Sequence, residues 1–221
     1  MRAGLLDMPL VDVEISINNT VLPDDVLAFL HEADLRVSQF VDSSPICSTG
    51  FVPSDFVTVY RALRTITESD LASGTSLCEW GSGFGVVASL AAMLGFRVCG
   101  IELEERLVDA SRNLADDFGL SVEFAHGSFV PPGAESYAEE AYLDNNSKYL
   151  WLTTDADDAY DKLGLDPHDF DVFFAYPWPG EEYLFISLFG KYAADESLLL
   201  MYDQLDSVRL LRKVAIGSVG A

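Results

Sequence analysis

The sequence predicts an α/β fold: a doubly wound, mostly parallel sheet with a helical N-terminal extension and a short C-terminal edge. Three observations predict it. From Ser76 onward, short apolar runs alternate with helical stretches, the pattern of βα units. The glycine-rich stretch Gly81-Ser82-Gly83-Phe84-Gly85 follows the first of these runs, and the second run ends in an acid, Glu102. A glycine turn and an acid at successive strand ends mark a Rossmann-like nucleotide crevice.

In chain order, Val11, Val13, Ile15 and Ile17 alternate with Asp12, Glu14 and Ser16, the period of a strand with one wet face. Thr20 to Val41 has Pro23, Asp24 and Asp25 where a helix begins, then Val26, Leu27, Leu30, Leu35 and Val37 on a helical stripe. This predicts a helix, with a break near Asp34. Ser43 to Gly50 is a connector. A second helix is predicted over Ser54 to Ile66, where Phe56, Val57, Tyr60, Leu63 and Ile66 recur on one face.

Strands follow at Ser76 to Glu79, Arg97 to Glu102, Val122 to His126, Asp171 to Tyr176 and Ser197 to Tyr202. Helices are predicted at Phe84 to Leu94, Glu104 to Phe118 and Gly180 to Tyr192, with Gly95 and Gly119 as helix stops. Pro131 to Pro167 is a long polar insertion, a candidate lid with one short helix around Ala159 to Leu163. Leu205 to Val214 is a helix or a strand. Residues 1–50 form the extension and residues 51–221 the sheet domain. The far sheet edge is expected to be short, covered by the N-terminal helices, or completed by the Val11 to Ile17 strand or another subunit.

The 221 residues are 49% hydrophobic and 22% charged, with a mean hydropathy of +0.18, enough apolar side chain for a full core. Acids outnumber bases 36 to 13, a formal charge of −23 that repels phosphate backbones and anionic leaflets. The expectation is therefore no nucleic-acid partner and no membrane. Three cysteines, Cys47, Cys78 and Cys99, do not pair completely, and the last two fall in apolar strands, which fits a reducing compartment. With Asp7, Asp12 and Glu14 interrupting the first hydrophobics, no signal peptide is visible, and a cytoplasmic location is expected.

A dinucleotide fingerprint needs glycines at its first, third and sixth places. Here they stand at the first, third and fifth, with Val86 in the sixth, which disfavours NAD and a nicotinamide-dependent oxidoreductase. Glu102 lies 17 residues beyond Gly85, close to the interval at which an acid reaches a ribose diol.

On these residues the chain resembles the class I S-adenosylmethionine-dependent methyltransferases. Their acid-x-Gly-x-Gly-x-Gly turn matches Glu79 to Gly85, and their ribose-binding acid matches Glu102. The resemblance spans about Phe51 to Asp203. It implies the class I methyltransferase sheet and S-adenosylmethionine as cofactor, with Glu79, Gly81, Gly83, Gly85, Glu102, Ser128 and Phe129 as its binding residues. Gly81 and Gly83 would pass the methionine part, Glu79 would orient its amino group, and Glu102 would take the ribose hydroxyls. Trp80 is unusual in its position and stands where it could block the crevice. Ser128 replaces the acid that in the family binds the adenine amino group, and Phe129 would pack on the ring. The family's closing β-hairpin barely fits in the residues after Asp203.

The fourth strand runs into Tyr176-Pro177-Trp178-Pro179-Gly180-Glu181-Glu182, placing rigid prolines and an aromatic at the carboxyl edge where α/β sheets bind ligands. Amino-methylating members of the family carry an Asn- or Asp-Pro-Pro-aromatic segment there, which this stretch resembles with Tyr in the first place. Tyr176, Trp178 and Glu181 are the candidate catalytic residues: a hydrogen bond to the acceptor, a pocket wall, and attraction of a cationic amine that Glu182 also offers. Trp178 as a packing residue and both acids as first-turn helix carboxylates are the competing structural readings.

His31, His126 and His168 lie far apart and no Cys-x-x-Cys occurs, so no metal is expected. Asp155, Asp157 and Asp158 lack the glycine and glutamate of a calcium loop. Ser82 is not in a nucleophile elbow. The sequence thus points to a methyltransferase acting on a small molecule or a basic protein side chain. The alternative is a catalytically silent binding module on the same fold.

Overall fold

Ser76–Trp80 is buried at every position, Glu79 included, and a strand without a wet face belongs at the centre of a sheet covered on both sides. The computed structural model describes residues 10–43, 52–134, 159–203 and 207–215. In order they form β1 (Leu10–Asp12), α1 (Asp24–Ser43), α2 (Phe56–Glu68), β2 (Ser76–Trp80), α3 (Val86–Met93), β3 (Arg97–Glu102), α4 (Glu105–Asp117) and β4 (Val122–His126). Then come α5 (Ala159–Leu163), a 3-10 turn (Pro167–Asp169), β5 (Val172–Ala175), α6 (Glu182–Tyr192), β6 (Leu198–Tyr202) and β7 (Val208–Lys213).

One seven-stranded sheet has the order β1-β7-β6-β5-β2-β3-β4. Strands β2 to β6 pair in parallel, and β7 lies antiparallel between β6 and β1. Strand order reverses between β2 and β5, so a crevice opens above their carboxyl ends.

The two-residue period of the strands divides the core. Leu77, Val98, Phe124, Val172, Phe174 and Leu200 face Val59, Leu63 and Ile66 of α2, Val87 of α3 and Val108 of α4. Cys78, Trp80, Phe173 and Leu199 face Tyr160 of α5 and Leu184, Leu188 and Phe189 of α6. Burying Leu63 and Ile66 contributes about 1.5–3 kcal/mol each. The Asp55 carboxylate accepts from the Val57 and Thr58 N–H groups, and this N-cap is worth about 1 kcal/mol to α2.

Helix α1 builds a third apolar cluster, packing Val26, Phe29, Leu30, Ala33 and Val37 on Leu90, Leu107 and Leu114. It runs unbroken through Asp34, because that acid falls on the exposed face and nothing there competes with the helix. Leu27 and Leu35, expected on its apolar stripe, are exposed; Phe29 and Ala33 fill the stripe instead. The Leu205 to Val214 segment supplies a strand, β7, and the N-terminal segment completes the edge by pairing with it. The ladder is shorter than the alternation suggests. Past Asp12 a single bond, Val13 N–H to Leu210 C=O at 2.8 Å, continues it. Val13, Ile15 and Ile17 then keep their alternation by packing on the α2 side without a strand partner.

Cys78 and Cys99 are register neighbours and free thiols, the latter pushed up to about 11 by burial. Cys47, Asp155, Asp157, Asp158 and most of the candidate lid, residues 135–158, lie outside the described residues. Among the described residues no helix is long and apolar enough to cross a membrane.

Candidate active site

The glycine turn is tied to the neighbouring strand: the Gly81 and Ser82 N–H groups both donate to Ile101 C=O at 2.9 Å. Gly81, Gly83 and Gly85 have φ of +73°, +53° and +68°, the left-handed region that costs a side chain strain. Their surroundings differ. Beyond Gly81 there is open space where a Cβ would stand, whereas a Cβ on Gly85 would meet Phe124 at 2.5 Å and Ser111 at 2.6 Å. Gly81 leaves room for a ligand and Gly85 lets β4 and α4 close on the turn.

Two acids brace this turn from opposite sides. Glu79, fully enclosed at the end of β2, accepts from the Ala88 N–H at 2.8 Å and so joins β2 to the first turn of α3. Burial holds its carboxyl well above the usual carboxylate range. Glu102, at the end of β3, accepts from Gly83 N–H at 2.8 Å through one oxygen and from Glu104 N–H at 2.9 Å through the other. Burial raises this group as well, and the main-chain donors pull the other way.

A cavity of about 320 Å³ opens above these residues. Its lining includes Glu79, Gly81, Gly83, Glu102, Ser128, Phe129, Tyr176, Trp178 and Glu181, so nine of the ten predicted site residues meet around one space. Gly85 does not line it, and packing explains that glycine. Trp80 leaves the crevice open. It is only 2% exposed, its ring stacks on Phe129 with centroids 5.6 Å apart, and its Nε1 donates to Tyr160 Oη at 2.8 Å. Phe129 in turn stacks on Phe185 of α6 at 5.1 Å. Ser128 Oγ accepts from Val130 N–H at 3.1 Å, which shapes the loop after β4.

On the β5 side, Tyr176 packs edge-on against Tyr202 at 5.1 Å. Glu181 is 5% exposed; one oxygen has only a long contact, 3.4 Å, from Trp178 N–H, and Oε1 is buried without a partner. Burial raises its carboxyl too. Glu182, by contrast, is exposed, outside the lining, and accepts from Gly180 N–H at 3.0 Å.

Sequence reasoning missed four contributors. Pro53, just outside the predicted connector and helix, Phe56, read as helix face, and Phe185 all line the cavity. Ser82, set aside as no nucleophile, lines the cavity with its Oγ buried and unpartnered. Its place between two glycines of a ligand turn was the available signal. Among the described residues the lining holds four carboxylates, Glu79, Glu102, Glu104 and Glu181, and no Lys, Arg or His. Away from the cavity, Asp166, His168 and Asp169 form an exposed cluster in which the two acids cap the 3-10 turn.

The sequence matches no protein family and no curated protein. Solved structures do match. An RNA methyltransferase from Salinibacter ruber, crystallised with S-adenosyl-L-homocysteine, superposes with a TM-score of 0.50 at 17% identity, over 76% of this chain and 97% of that one. The chain has the class I methyltransferase fold. An O-methyltransferase from Bacillus cereus aligns over 83% of this chain and 67% of its own, with a TM-score of 0.48 and 14% identity.

Within the class I methyltransferase fold the cavity lies at the strand-order reversal, the usual ligand position for an open α/β sheet. The closing hairpin expected of this fold is split between the chain's two ends. β7 is the antiparallel strand, and β1 takes the outer place with the same direction as β6.

Proposed function

We propose that this chain is an S-adenosylmethionine-dependent methyltransferase whose acceptor is a small molecule or a basic protein side chain. The observation that carries the reading is a crevice at the strand-order reversal whose charged lining, among the described residues, is entirely carboxylate. A cationic sulfonium is favoured there, and the pyrophosphate of NAD is repelled. The residues fit the cofactor in three further respects. The cavity lies at the lower end of ordinary ligand pockets, about 300–1,000 Å³. Gly81 leaves open space, and Ser82 Oγ is a buried polar atom that lacks a partner.

Glu102 would take the ribose hydroxyls. Each of its oxygens already accepts one main-chain N–H, and a carboxylate has about four lone-pair sites, so acceptor capacity remains. Gly81, Gly83 and Glu79 would surround the methionine part, with Phe129 on the adenine and Ser128 beside it. Bound there, the cofactor supplies an electrophilic methyl group on a cationic sulfur. The chain's own tasks are then alignment, exclusion of water and removal of an acceptor proton. Trp178 and Tyr176, which line the cavity, would wall the acceptor side. An RNA substrate like that of the Salinibacter enzyme suits this chain poorly, because a charge of −23 and a lining without cations among the described residues oppose a phosphate backbone.

Calorimetric titration with S-adenosylmethionine, S-adenosylhomocysteine and NAD tests the cofactor; the first two are expected to bind and NAD is not. Transfer of a radiolabelled methyl group into small-molecule and protein fractions of a cell extract tests catalysis. Binding without transfer would make the chain a silent module, and NAD binding alone would overturn the reading.

A further inference from the structure

Three carboxylates of the crevice are held very differently. Glu102 has a main-chain donor on each oxygen, and Glu79 has a 2.8 Å bond from Ala88 N–H. Glu181 has one contact of 3.4 Å, at the outer limit of a hydrogen bond, and its Oε1 is buried with nothing to accept from. A buried carboxylate oxygen without a donor is unfavourable and is relieved by a ligand that brings one. Its place follows from the chain: Tyr176-Pro177-Trp178-Pro179 leaves β5 beside the glycine turn, and Glu181 stands at the N-cap position of α6 without a side-chain capping bond.

From this geometry we infer that the methyl acceptor is an amine that enters as an ammonium ion, and that Glu181 binds it and takes its proton. The inference rests on the methyltransferase reading above. The groups that share the lining decide the acceptor class. Glu79, Glu102 and Glu104 are acids and Tyr176 is a phenol, and the described residues of the lining include no cation, so a carboxylate or phenolate acceptor would meet only repulsion. Burial separates an amine from an alcohol. It lowers the proton affinity of an ammonium and raises that of a carboxylate, bringing donor and acceptor together, whereas it raises an alcohol and a carboxyl alike. Glu181 already shows the upward displacement from burial, reinforced by Glu182.

The protons and electrons balance. The ammonium gives one proton to the Glu181 carboxylate, and the nitrogen lone pair so freed forms the bond to the donor's methyl carbon. The methyl–sulfur bond breaks with its pair left on sulfur. The product leaves as a methylated ammonium, and Glu181 returns its proton to solvent, so one proton is released per transfer.

The test uses the full chain saturated with S-adenosylhomocysteine and three probes of like shape: benzylammonium, benzyl alcohol and benzoate. Calorimetry is expected to show benzylammonium bound at least about tenfold more tightly than the other two, the worth of one charge-assisted hydrogen bond. Glu181→Gln should erase that preference and leave the S-adenosylhomocysteine affinity within about twofold. Glu182→Gln should retain the preference. A panel of primary amines offered with labelled donor should show kcat/KM reduced at least about a hundredfold by Glu181→Gln. Equal binding of the three probes, or a preference that survives Glu181→Gln in a protein with unchanged melting temperature, overturns the inference. Failure of the wild type to bind S-adenosylhomocysteine instead overturns the methyltransferase reading on which it rests.

Discussion

Trp80 and Tyr160, 80 residues apart, are joined by a buried hydrogen bond of 2.8 Å from indole Nε1 to phenol Oη. Tyr160 Oη also donates to the Phe129 carbonyl at 3.2 Å. The pair therefore links β2, α5 and the loop that carries Phe129 over the crevice. Tyr160→Phe removes the indole's acceptor and should cost about 1–3 kcal/mol of stability, measured by urea denaturation. A change below about 0.3 kcal/mol would deny the bond any structural role.

Glu102→Ala is expected to weaken S-adenosylhomocysteine binding by about 1–3 kcal/mol, read by calorimetry, through loss of a charged acceptor. It also frees the Gly83 and Glu104 N–H groups, so faster hydrogen exchange at Gly83 should accompany the loss. Unchanged affinity would remove Glu102 from the site.

Gly85→Ala should destabilise the fold by about 1–3 kcal/mol without direct loss of a ligand contact. The new methyl would meet Phe124 and Ser111 at a residue held at φ +68°. Gly81→Ala carries the strain of φ +73° but meets no atom, so it should destabilise less than Gly85→Ala and also weaken ligand affinity. Paired denaturation and titration of both variants distinguish the two effects.

Glu79, Glu102 and Glu181 all hold their protons more tightly when folded, because burial penalises their charged forms. For such groups the stabilising contribution is complete below the ordinary carboxylate range and is lost as pH rises through the raised values. The ligand-free protein should therefore lose stability as pH climbs from the ordinary carboxylate range, by at most about 1.4 kcal/mol per pH unit for each group. Asp12, lowered by Arg209, works in the opposite sense at lower pH. Glu79→Gln should flatten the rise-dependent loss in a pH series of denaturation midpoints; an unchanged slope would show that Glu79 is not its source.

Removal of residues 1–17 should lower the melting temperature and promote association, because it uncovers the β7 edge that β1 occupies. Light scattering against concentration reads the association directly. A monomeric truncated protein of unchanged stability would show that β1 contributes nothing to the edge.

Much of the fold around the candidate site was legible in the residues themselves. Arg97–Glu102 and Val122–His126 form strands as their apolar runs predict, and Ala159–Leu163 is a helix inside an otherwise polar insertion. The continuous α1 was not, since an exposed Asp34 breaks a helix only where something competes for its backbone. Nor were the roles of the three turn glycines separable, because Gly81 and Gly85 share one φ region and differ only in what lies beyond them. Trp80 looked like an obstruction until Tyr160 and Phe129 were seen to hold its ring in the wall.

By itself the sequence determined the parallel sheet, the glycine turn after its first core strand and the two acids beside that turn, because periodicity and spacing are local properties that the backbone obeys directly. Only the tertiary structure decided that β1 closes the far edge, that Gly85 serves packing, and that Glu181 keeps an oxygen without a partner. Those facts depend on which distant groups arrive at the same place, and hydrogen-bond satisfaction is settled by such arrivals, not by spacing along the chain.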